Sequence, residues 1–582
     1  MAVNAYFQDE LAYLRELGDE FARTNPNLAP FLSRQSNDPD VERLLEGFAF
    51  LTARLRQKLD DDLPELSHSL LTLLWPHYLR PVPATAIIQF EPVPRSLTRS
   101  QRLPRGIMLD AKPVEGTRCT FKTVYDVDLN PLTITTAGVE SGVGTSQLSL
   151  QCQLGAGAGF GGVRFDRLRI HLDAARDTPL ARALYLLLCR HVRSAAVRSA
   201  GGQITELPGV RMTPVGFAED EGVIPYPANG LVPYRVLQEY FVCPTKFMFL
   251  DVEGLEPIAA LEGTNCTLMF RFDRPFEEAA RVTHRNFVLN CTPAVNLFPH
   301  DAVPIRVDQA KTEYRLRPDG ADASHYDIYS VDQVSGWIQG QRERVDYQPF
   351  ESFRHAVEGG DRAYYRLRMR PSVVGEGADL YVSFVNGRDA TIIPPTETVS
   401  LSLTCTNGRL AELIGAGNID QATTSSPSQV TFRNLAPVTP QLPPPLSGNV
   451  LWRLLSNLAL GTGTLANLDA LRSVLATYDF RALTDAQARQ RLDLLLQSLL
   501  AVRSEPIDIL RHGLPVRGAR FVLDIDDRKI GGIGEMFLLA SVLERYLALC
   551  ASVNSCNQLT ARGTASNLVY SWPPRGGLRA PL

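Results

Sequence analysis

Hydrophobic residues near the start of the chain recur at the spacing of an α-helix. Phe7, Leu11, Leu14 and Phe21 follow one another at intervals of four, three and seven residues, which places them on one face of a helix. The stripe is about as narrow as the seam of a coiled coil. It therefore predicts a helix that packs along one side against another element or another chain.

A second helix is predicted to begin at an Asn-Asp-Pro sequence, where Asp38 can cap the helix and Pro39 suits its first position. Its predicted apolar face carries Val41, Leu44, Phe48, Leu51 and Leu55. A third helix is predicted after Pro64, ending before Pro81. Residues 1–83 thus form a helical unit with more apolar surface than so small a piece can bury, and the excess indicates a partner.

From residue 84 to 433 the pattern changes to a period of two, with segments in which apolar and polar positions alternate. Examples are ATAIIQFEPV, SQLSLQCQL, RFDRLRIHLD, NCTLMFRFD, YYRLRMRPSV and VSLSLTC. Clusters of Gly, Pro and Asn separate these segments, as is typical of antiparallel sheets, sandwiches or barrels. The region is predicted to be β-rich and to contain two subdomains, with a helical exception after Asp177.

Residues 434–449 include five prolines and are predicted to form an extended linker. Beyond them, residues 450–582 are predicted to form a mixed, mainly helical domain. The segments VLWRLLSNLAL, LANLDALRSVLATY, TDAQARQRLDLLLQSLLAV and MFLLASVLERYLALCASV are expected to be helices. Thr484 and Gln487 have the spacing of a capping box. ARFVLDIDDRKIGG is expected to be a hairpin, and the final PPRGGLRAPL is expected to be mobile. The predicted fold class is α+β.

Length and charge narrow the classes of function. A chain of 582 residues suggests three or four domains at roughly 150 residues each. The net charge is −4 and there is no long basic run, so nucleic acid is not an expected partner. Residues 1–70 contain 13 Asp and Glu against 7 Lys and Arg. Such an excess is usually a solvated helical face and only sometimes a steering surface for a basic partner.

Cellular location is predicted from cysteines and apolar runs. The nine cysteines are scattered without a CxxC pair, and the N-terminus lacks the basic start and apolar run of a signal peptide. Both features favour the cytoplasm. The apolar stretches near residues 185 and 495 are shorter than the roughly 18 residues of a membrane span, so no direct membrane insertion is expected.

A glycine-rich segment matches a nucleotide-binding motif by letters alone. GAGFGG at 157–162 fits GxGxxG, and Asp177 lies downstream at about the distance of a ribose contact. A dinucleotide loop must open a helix, whereas the following VRFDRLRIHLD alternates like a strand. We therefore predict a mobile hairpin loop here rather than a nucleotide site, and the order of residues 155–162 stays open.

Metal and catalytic motifs are weak. Asp524, Asp526, Asp527 and Glu535 have a partial calcium-loop spacing, but Arg528 and Lys529 occupy positions that need an oxygen ligand and a glycine. These carboxylates are predicted to point outward from a hairpin and its turn. None of the nine histidines, which include His68, His77 and His512, lies in an HExxH motif or beside a cysteine pair. No catalytic residue, cofactor or metal is predicted.

Aromatic clusters occur in YFVCPTKFMFLDVEGL at 240–255, HYDIYSV at 325–331 and YQPF at 347–350. Strands and their corners bury most residues of this kind. Tyr and Phe are also common interface anchors, so we expect a core role for most and a partner-facing role for a minority.

Several motifs are similar to one known family. YFQDELAYLRELGDEFA, DPDVERLLEGFAFLTARLRQKLDD, PELSHSLLTLLWPHYLRPVPA and YFVCPTKFMFLDVEGL together resemble the TssF family, also called VasA or ImpG. CTNGRLAEL near 405 and VNSCNQLTAR near 553 also resemble family landmarks. Two positions depart from the family pattern, since Gly408 and Cys556 stand where the family often has an arginine and an aromatic residue.

The resemblance implies a non-enzymatic subunit of the type VI secretion baseplate wedge, related to a phage-tail wedge protein. Two copies are expected to bind one TssG and, together with it, to engage TssK and TssE. Six such wedges are expected to surround the VgrG hub, and the wedge is the platform for sheath and tube. Recruitment to the inner face of the cytoplasmic membrane would come through the secretion membrane complex. The two apolar helix stripes would then pack in an intermolecular bundle.

Two alternatives stay open. One is an enzyme acting on a polymer such as a glycan, since paired carboxylates meet only in the fold. The other is a binding module for a small ligand. Turnover on glycans, or a cleft with two facing carboxylates, would favour the enzyme, whereas instability without a partner would favour the assembly subunit.

Overall fold

The computed structural model describes residues 7–8, 10–15, 17, 40, 43–53, 71–72, 75–174, 177–226, 232–307, 311–320, 322–338, 344–350, 364–372, 378–385, 397–445, 466–511 and 514–577. By its internal contacts the chain divides into two compact units. The first is Met1–Leu79 with Leu446–Leu458, and the second is Arg80–Pro445 with Ala459–Leu582. The four-part division made from the sequence stays a prediction.

The described part of the first unit is helical. Residues 10–15 and 43–53 are α-helical, and a 3₁₀ turn covers Pro76–Leu79. Trp75 and Tyr78 are buried, with ring centroids 5.4 Å apart in an edge-to-face contact. An aromatic pair of this kind stabilises the packing beyond its buried area. The helices predicted near residues 10 and 45 are thus confirmed where the structure describes them.

The second unit is built mainly from strands. Its first strands are β1 (Thr85–Pro92), β2 (Gln101–Leu103), β3 (Met108–Asp110), β4 (Thr120–Thr123), β5 (Val127–Leu129), β6 (Leu132–Ser141), β7 (Ser146–Leu154), β8 (Arg167–Leu172), β9 (Val192–Ser199) and β10 (Ile204–Glu206). They are followed by β11 (Arg211–Pro214), β12 (Phe249–Glu253), β13 (Asn265–Phe272), β14 (Phe287–Leu289), β15 (Cys291–Val295), β16 (Phe298–Asp301), β17 (Ile305–Val307), β18 (Tyr314–Arg315), β19 (Asp327–Ile338) and β20 (Arg344–Pro349). The last are β21 (Tyr364–Pro371), β22 (Ala378–Val385), β23 (Glu397–Thr406), β24 (Gln421–Ala422), β25 (Val430–Asn434), β26 (Leu499–Arg511), β27 (Leu514–Ile525), β28 (Cys556–Gly563), β29 (Val569–Ser571) and β30 (Arg575–Gly576).

These strands pair almost entirely in antiparallel fashion. The main sheets have the orders β24-β3-β4-β15-β1-β25, β10-β9-β13-β7-β6, β11-β12-β8-β14, β16-β23-β19-β20-β21-β22-β18 and β26-β27-β28-β29. The predicted alternating segments all fall on strands. In β7, for example, every second side chain from Ser146 to Leu154 is buried, which is the pattern of a half-buried antiparallel strand.

Two of the hydrophobic cores formed by the described residues lie against two of these sheets. One gathers Phe90, Phe121 and Phe432 from the sheet that contains β1, β4 and β25. The other gathers side chains such as Val382 and Leu403 from the sheet of β16 to β23. More than one core is expected in a region of this size, since single hydrophobic cores stop growing as chains lengthen.

Helices stand between and after the strands. They are α1 (Thr178–Arg190), α2 (Val232–Val242), α3 (Leu468–Tyr478), α4 (Arg481–Thr484), α5 (Ala486–Ser498) and α6 (Ile533–Cys550). Helix α6 packs against α1, α2 and β28, and it is buried on nearly all sides. Its mostly apolar sequence is that of a helix in the interior of a large protein. The α+β class, with a helical start, a β-rich middle and a mixed C-terminal part, is confirmed.

The glycine-rich segment is a packed crossover and not a hairpin loop. The flanking strands are present, as predicted, but β7 and β8 belong to different sheets. Phe160 is buried, and the carbonyl of Gly162 accepts the N–H of Ser100 at 2.9 Å. A Cβ at Gly162 would lie 2.9 Å from the carbonyl oxygen of Thr98. Close backbone packing therefore explains a glycine here, and the hairpin prediction is wrong.

The predicted capping box at Thr484 is also wrong. Thr484 is the last residue of α4, and the next helix is capped by Asp485, whose carboxylate accepts the N–H of Gln487 at 2.8 Å. Helix α5 ends at Ser498, so the LLAV that follows is the start of β26 rather than helix. The helix predicted over VLWRLLSNLAL lies outside the described residues.

ARFVLDIDDRKIGG is not a hairpin, because β27 runs through a turn directly into α6. Two of the carboxylates predicted to point outward are buried. Asp527 accepts the N–H of Ala565 at 2.9 Å, and Glu535 accepts the hydroxyl of Tyr240 at 2.6 Å. These carboxylates fix loops and helices together instead of facing solvent.

The chain end is partly packed, contrary to the predicted mobility. Arg575 lies in β30, which pairs with β28, and its guanidinium forms an ion pair with the buried carboxylate of Glu544. The expectation for residues 578–582 falls outside the described part of the chain.

Candidate partner-binding surface

The helix of residues 43–53 buries its small side chains. Ala49 and Ala53 have no exposed surface, and Leu45 beside them is half-buried. These residues recur at intervals of four and define one helix face. Small side chains let a neighbouring backbone approach closely, so this is the face that packs against other residues of the chain.

Another face of this helix exposes large apolar side chains. Leu44 is 74% exposed, Phe48 60% and Leu51 61%. Phe50, on the flank of the same helix, is 47% exposed. An ordinary surface helix does the reverse and buries its large apolar residues. The Leu44–Phe48–Leu51 face is therefore a strong candidate for a surface that another protein covers.

Few charges accompany this face. Arg43 and Asp40 form an exposed ion pair with 3.6 Å between their charged atoms, and Glu46 is exposed. An exposed pair of this kind contributes little to stability. Recognition at this face would rest on apolar burial, with the charges at its rim.

The apolar stripe of the first helix is more buried than the apolar stripe of the second helix. Leu11 is only 6% exposed, while Phe7 and Leu14 are half-buried. This stripe therefore packs largely against other residues of the same chain. Phe21, and with it Val41 and Leu55 of the second predicted face, lies outside the described residues.

Sequence reasoning missed three exposed apolar residues of the first unit. Phe50 was passed over because it lies off the predicted stripe, and Tyr13 and Leu17 are 59% and 44% exposed on the first helix. Tyr13 and Leu17 are spaced by four residues and share a face. That spacing was a signal available in the sequence.

The CTNG landmark joins elements inside the second unit. Asn407 is buried, its backbone N–H donates to Asn296 at 2.7 Å, and its side-chain oxygen accepts from the Asn296 amide at 2.8 Å. Gly408 has φ of +53°, and a Cβ there would lie 2.8 Å from a carboxylate oxygen of Asp327. The glycine at this position thus fits a local requirement of the fold.

The NSCNQL landmark also has a structural role. Cys556 is fully buried and pairs with Gly518 across β27 and β28. A Cβ at Gly518 would lie 2.0 Å from the carbonyl oxygen of Cys556 and 2.3 Å from its sulfur. Asn557 donates to the carbonyl of Leu547 at 2.7 Å and so ties β28 to α6.

The aromatic segment at 240–255 lies in the core. Tyr240, Phe247 and Phe249 are all buried. Beside them, the ammonium of Lys246 forms an ion pair with Glu239, and neither residue has exposed surface. Burial lowers the pKa of Lys246, and the adjacent carboxylate opposes that effect. No partner-facing role is visible for these residues.

A cavity of about 110 Å³ lies between β8, α1 and the loop after α2. It has room for only a few water molecules. His171 lines it with an Nδ1 atom that has no hydrogen-bond partner among the described residues, and burial lowers the pKa of this imidazole to about 3. Asp173 is the one carboxylate among its lining residues. A glycosidase needs two facing carboxylates, which this cavity does not supply.

Possible metal ligands form no cluster in the described ranges of the chain. There, His, Cys, Asp and Glu side chains do not gather in any group of three or more that could hold a metal ion. His77 is buried, while His68 and His512 fall in the gaps between those ranges. Among the helices so described, none is both long and apolar enough to cross a membrane.

Comparison with known proteins identifies the family to which the chain belongs. The family model for "Type VI secretion system, TssF" matches residues 2–579. The chain belongs to the TssF family. The type VI secretion system component TssF1 of Pseudomonas aeruginosa is 30% identical over an alignment of 627 residues that covers 99% of each protein.

Solved structures agree with the TssF assignment. A chain from a cryo-electron microscopy structure of the type VI secretion system TssK-TssF-TssG baseplate subcomplex superposes with a TM-score of 0.76, at 31% identity, over 93% of this chain and 100% of its own length. A chain from the baseplate complex of the type VI secretion system gives a TM-score of 0.64 at 27% identity, with full coverage of both chains. The predicted family is confirmed over the whole chain.

Proposed function

We propose that this TssF-family chain is a structural subunit of a type VI secretion baseplate and that it assembles with a TssG-type and a TssK-type protein. The observation that carries the proposal is the Leu44–Phe48–Leu51 face, which exposes three large apolar side chains on one helix. The subcomplex that contains a similar chain joins TssK, TssF and TssG, which supports the choice of partners.

Burial of this face would supply the binding energy. Fully burying a Leu or Phe side chain contributes about 1.5–3 kcal/mol relative to leaving it exposed. The three side chains are already part-buried, so their combined contribution on contact is about 4 kcal/mol. That exceeds what a rim of exposed ion pairs supplies. The interface is proposed to include Phe7, Leu14, Phe21, Val41 and Leu55 at its edges.

The finer architecture follows the family resemblance and is proposed with it. Two copies of this chain would bind one TssG-type protein, and the wedge would also engage TssE and the VgrG hub as a platform for sheath and tube. The chain would act in the cytoplasm, recruited to the inner membrane face through other proteins. It would act by assembly and not by catalysis.

Co-expression with the TssG-type protein, followed by size-exclusion chromatography with mass determination, tests the proposal. We expect one species with two copies of this chain to one of TssG. A monodisperse single chain that does not bind TssG, in the presence or absence of the TssK-type protein, would contradict it and would reopen the glycan-enzyme and ligand-binding alternatives.

A further inference from the structure

Two cysteines stand opposite each other in the sheet that contains β7 and β13. Cys152 of β7 pairs with Cys266 of β13 in the register of these antiparallel strands. All nine cysteines of the chain are free, and in the described strand pairings this is the one place where two of them meet. Directly opposite residues lie on the same face of a sheet, and both of these side chains are buried there.

The spacing of the two strands suits a disulfide between these residues. The N–H of Leu154 donates to the carbonyl of Thr264 at 2.7 Å, which makes those two residues a hydrogen-bonded pair. Such pairs alternate along an antiparallel ladder, so Cys152 and Cys266, two positions away, are also a hydrogen-bonded pair with Cα atoms about 5.5 Å apart. Disulfides span Cα separations of about 4.4–6.8 Å, so the bond can form between strands that stay paired.

A disulfide at this position would be strained and easily reduced. The Cβ atoms of opposite residues are about 4.5–5.5 Å apart, and hydrogen-bonded pairs have the wider separations. A relaxed disulfide holds its Cβ atoms about 3.8 Å apart, so the two side chains would have to draw together by about 1 Å. Strained disulfides are more oxidising than relaxed ones and belong to the labile, regulatory kind. The bond would therefore form reversibly.

The two thiols differ in reactivity. A hydrogen bond between them lowers the pKa of Cys266 and raises the pKa of Cys152. The thiolate is the nucleophilic form of cysteine, so Cys266 is the attacking sulfur and Cys152 is the resolving thiol. Cys405 is just as buried but lies opposite Phe298 and Ile328, and burial raises its pKa to about 12. A buried thiol without a second cysteine beside it is therefore inert at neutral pH.

The pair lies near the end of the sheet, where a small oxidant can reach it. Cys266 is the second residue of β13, and residues 262–265 just before it are exposed. On the other side β6 is the edge strand, and its register with β7 shifts between Ile134 and Thr136, beside Cys152. Such a shift disrupts the ladder locally, and local openings of a fold occur in its less paired parts. Opening of β6 would admit a molecule as small as hydrogen peroxide.

We propose that Cys152 and Cys266 are a reversible redox pair, reduced at rest and joined by a disulfide when the chain meets a peroxide. The Cys266 thiolate attacks one oxygen of hydrogen peroxide, so an S–O bond forms, the O–O bond breaks, and the departing hydroxide becomes water with the proton that Cys266 had lost. The sulfur of Cys152 then attacks the sulfur of Cys266. The S–S bond forms, the S–O bond breaks, and the second hydroxide takes the proton of Cys152. The two sulfurs are oxidised, the peroxide oxygens are reduced, and one disulfide and two waters result.

The disulfide acts within the second unit of the chain. It closes a loop from residue 152 to residue 266, which contains the strands β8 to β12 and the helices α1 and α2. Closing so long a loop restricts the unfolded chain and stabilises the folded one. We expect the oxidised protein to unfold several degrees above the reduced protein. This role does not depend on the partners named in the proposed function.

The test is disulfide mapping on the purified full-length chain. The folded protein is treated with hydrogen peroxide and then unfolded in urea with an alkylating reagent, and its peptides are analysed by mass spectrometry before and after reduction. We expect a pair of peptides that contain Cys152 and Cys266 to be crosslinked, with the loss of two hydrogens, and to separate on reduction. Cys405 is the internal control and should be alkylated in every sample.

Two variants separate the roles of the two thiols. Cys152→Ala lacks the resolving thiol, so peroxide should leave a sulfenic acid on Cys266, which dimedone traps. Cys266→Ala lacks the nucleophile, so Cys152 should stay reduced. Neither variant should gain unfolding temperature on treatment with peroxide.

The mapping of the wild-type chain decides the proposal even if a variant does not fold. Peroxide treatment that leaves Cys152 and Cys266 reduced, or that joins them mainly to other cysteines, would overturn the redox pair. Equal trapping of the remaining thiol in both variants would overturn the assigned order of attack. Binding of the reduced wild-type chain to the TssG-type protein is measured separately, so the proposed function stands or fails independently of these results.

Discussion

Phe48→Asp is the substitution that most sharply probes the exposed helix face. Phe48 is 60% exposed, so its partner would bury about 60% of a side chain whose full burial contributes about 3 kcal/mol, or about 2 kcal/mol. An aspartate forced into an apolar contact costs about 1–3 kcal/mol more. The sum is about 4 kcal/mol, which corresponds to a loss of affinity of about a thousandfold.

The assay is binding of the TssG-type protein to the full-length chain by isothermal titration. Leu413→Asp is the matched control, since Leu413 is 63% exposed on the second unit. Phe48→Leu keeps an apolar side chain and is expected to lose less than tenfold. All three variants should unfold at the wild-type temperature, because an exposed side chain contributes little to the folded state. Equal affinity of Phe48→Asp and wild type would refute the reasoning.

Three further predictions concern the second unit. Glu239→Ala leaves the buried ammonium of Lys246 without its carboxylate, and we expect a loss of about 3–5 kcal/mol in the free energy of unfolding by urea; a loss below 1 kcal/mol would show that the pair is dispensable. Burial raises the pKa of Asp479 to about 6, so the stability that it contributes is full below about pH 4 and is lost as the pH rises through 6. Asp479→Asn should therefore stabilise the chain at pH 7.5 by up to about 3 kcal/mol and leave it unchanged at pH 4, and a gain equal at both pH values would contradict this. Gly518→Ala drives a Cβ onto the backbone of Cys556 and should lower the unfolding temperature by several degrees, whereas an unchanged temperature would mean that the strands can separate freely.

Local patterns predicted the elements well where one period dominates. The alternation in SQLSLQCQL and NCTLMFRFD marks β7 and β13, whose residues then pair from Asn265 opposite Gln153 to Phe272 opposite Ser146. Alternation reports which side chains face a core. It does not report which strand lies alongside, and that is why the segment between β7 and β8 was mistaken for a hairpin.

Turn signals misled where two solutions share the same residues. Asp-Asp-Arg-Lys followed by glycines suits a hairpin turn, but here it leads from β27 into α6. Thr484 and Asp485 are both good capping residues, and the end of α4 at Thr484 left the role to Asp485. Burial of Asp527 depends on the distant N–H of Ala565, which no local pattern contains.

The sequence predicted an apolar helix face with Leu44, Phe48 and Leu51 that a partner would cover, but it did not predict which face packs within the chain. Leu44, Phe48 and Leu51 form one stripe, but Leu45, Ala49 and Ala53 form a second at the same period. Hydrophobicity alone favours burial of the set with the larger side chains, which is Leu44, Phe48 and Leu51. The structure buries Ala49 and Ala53 and half-buries Leu45, so the larger side chains stay exposed.

The Leu44–Phe48–Leu51 face is proposed to bind the TssG-type protein. The direct measurement is site-specific photo-crosslinking, with p-benzoylphenylalanine in place of Phe48 and, as control, in place of Leu413, in the purified complex. We expect a covalent product with TssG from position 48 and none from position 413. A complex that forms with full yield but gives no crosslink to TssG from position 48 would contradict it.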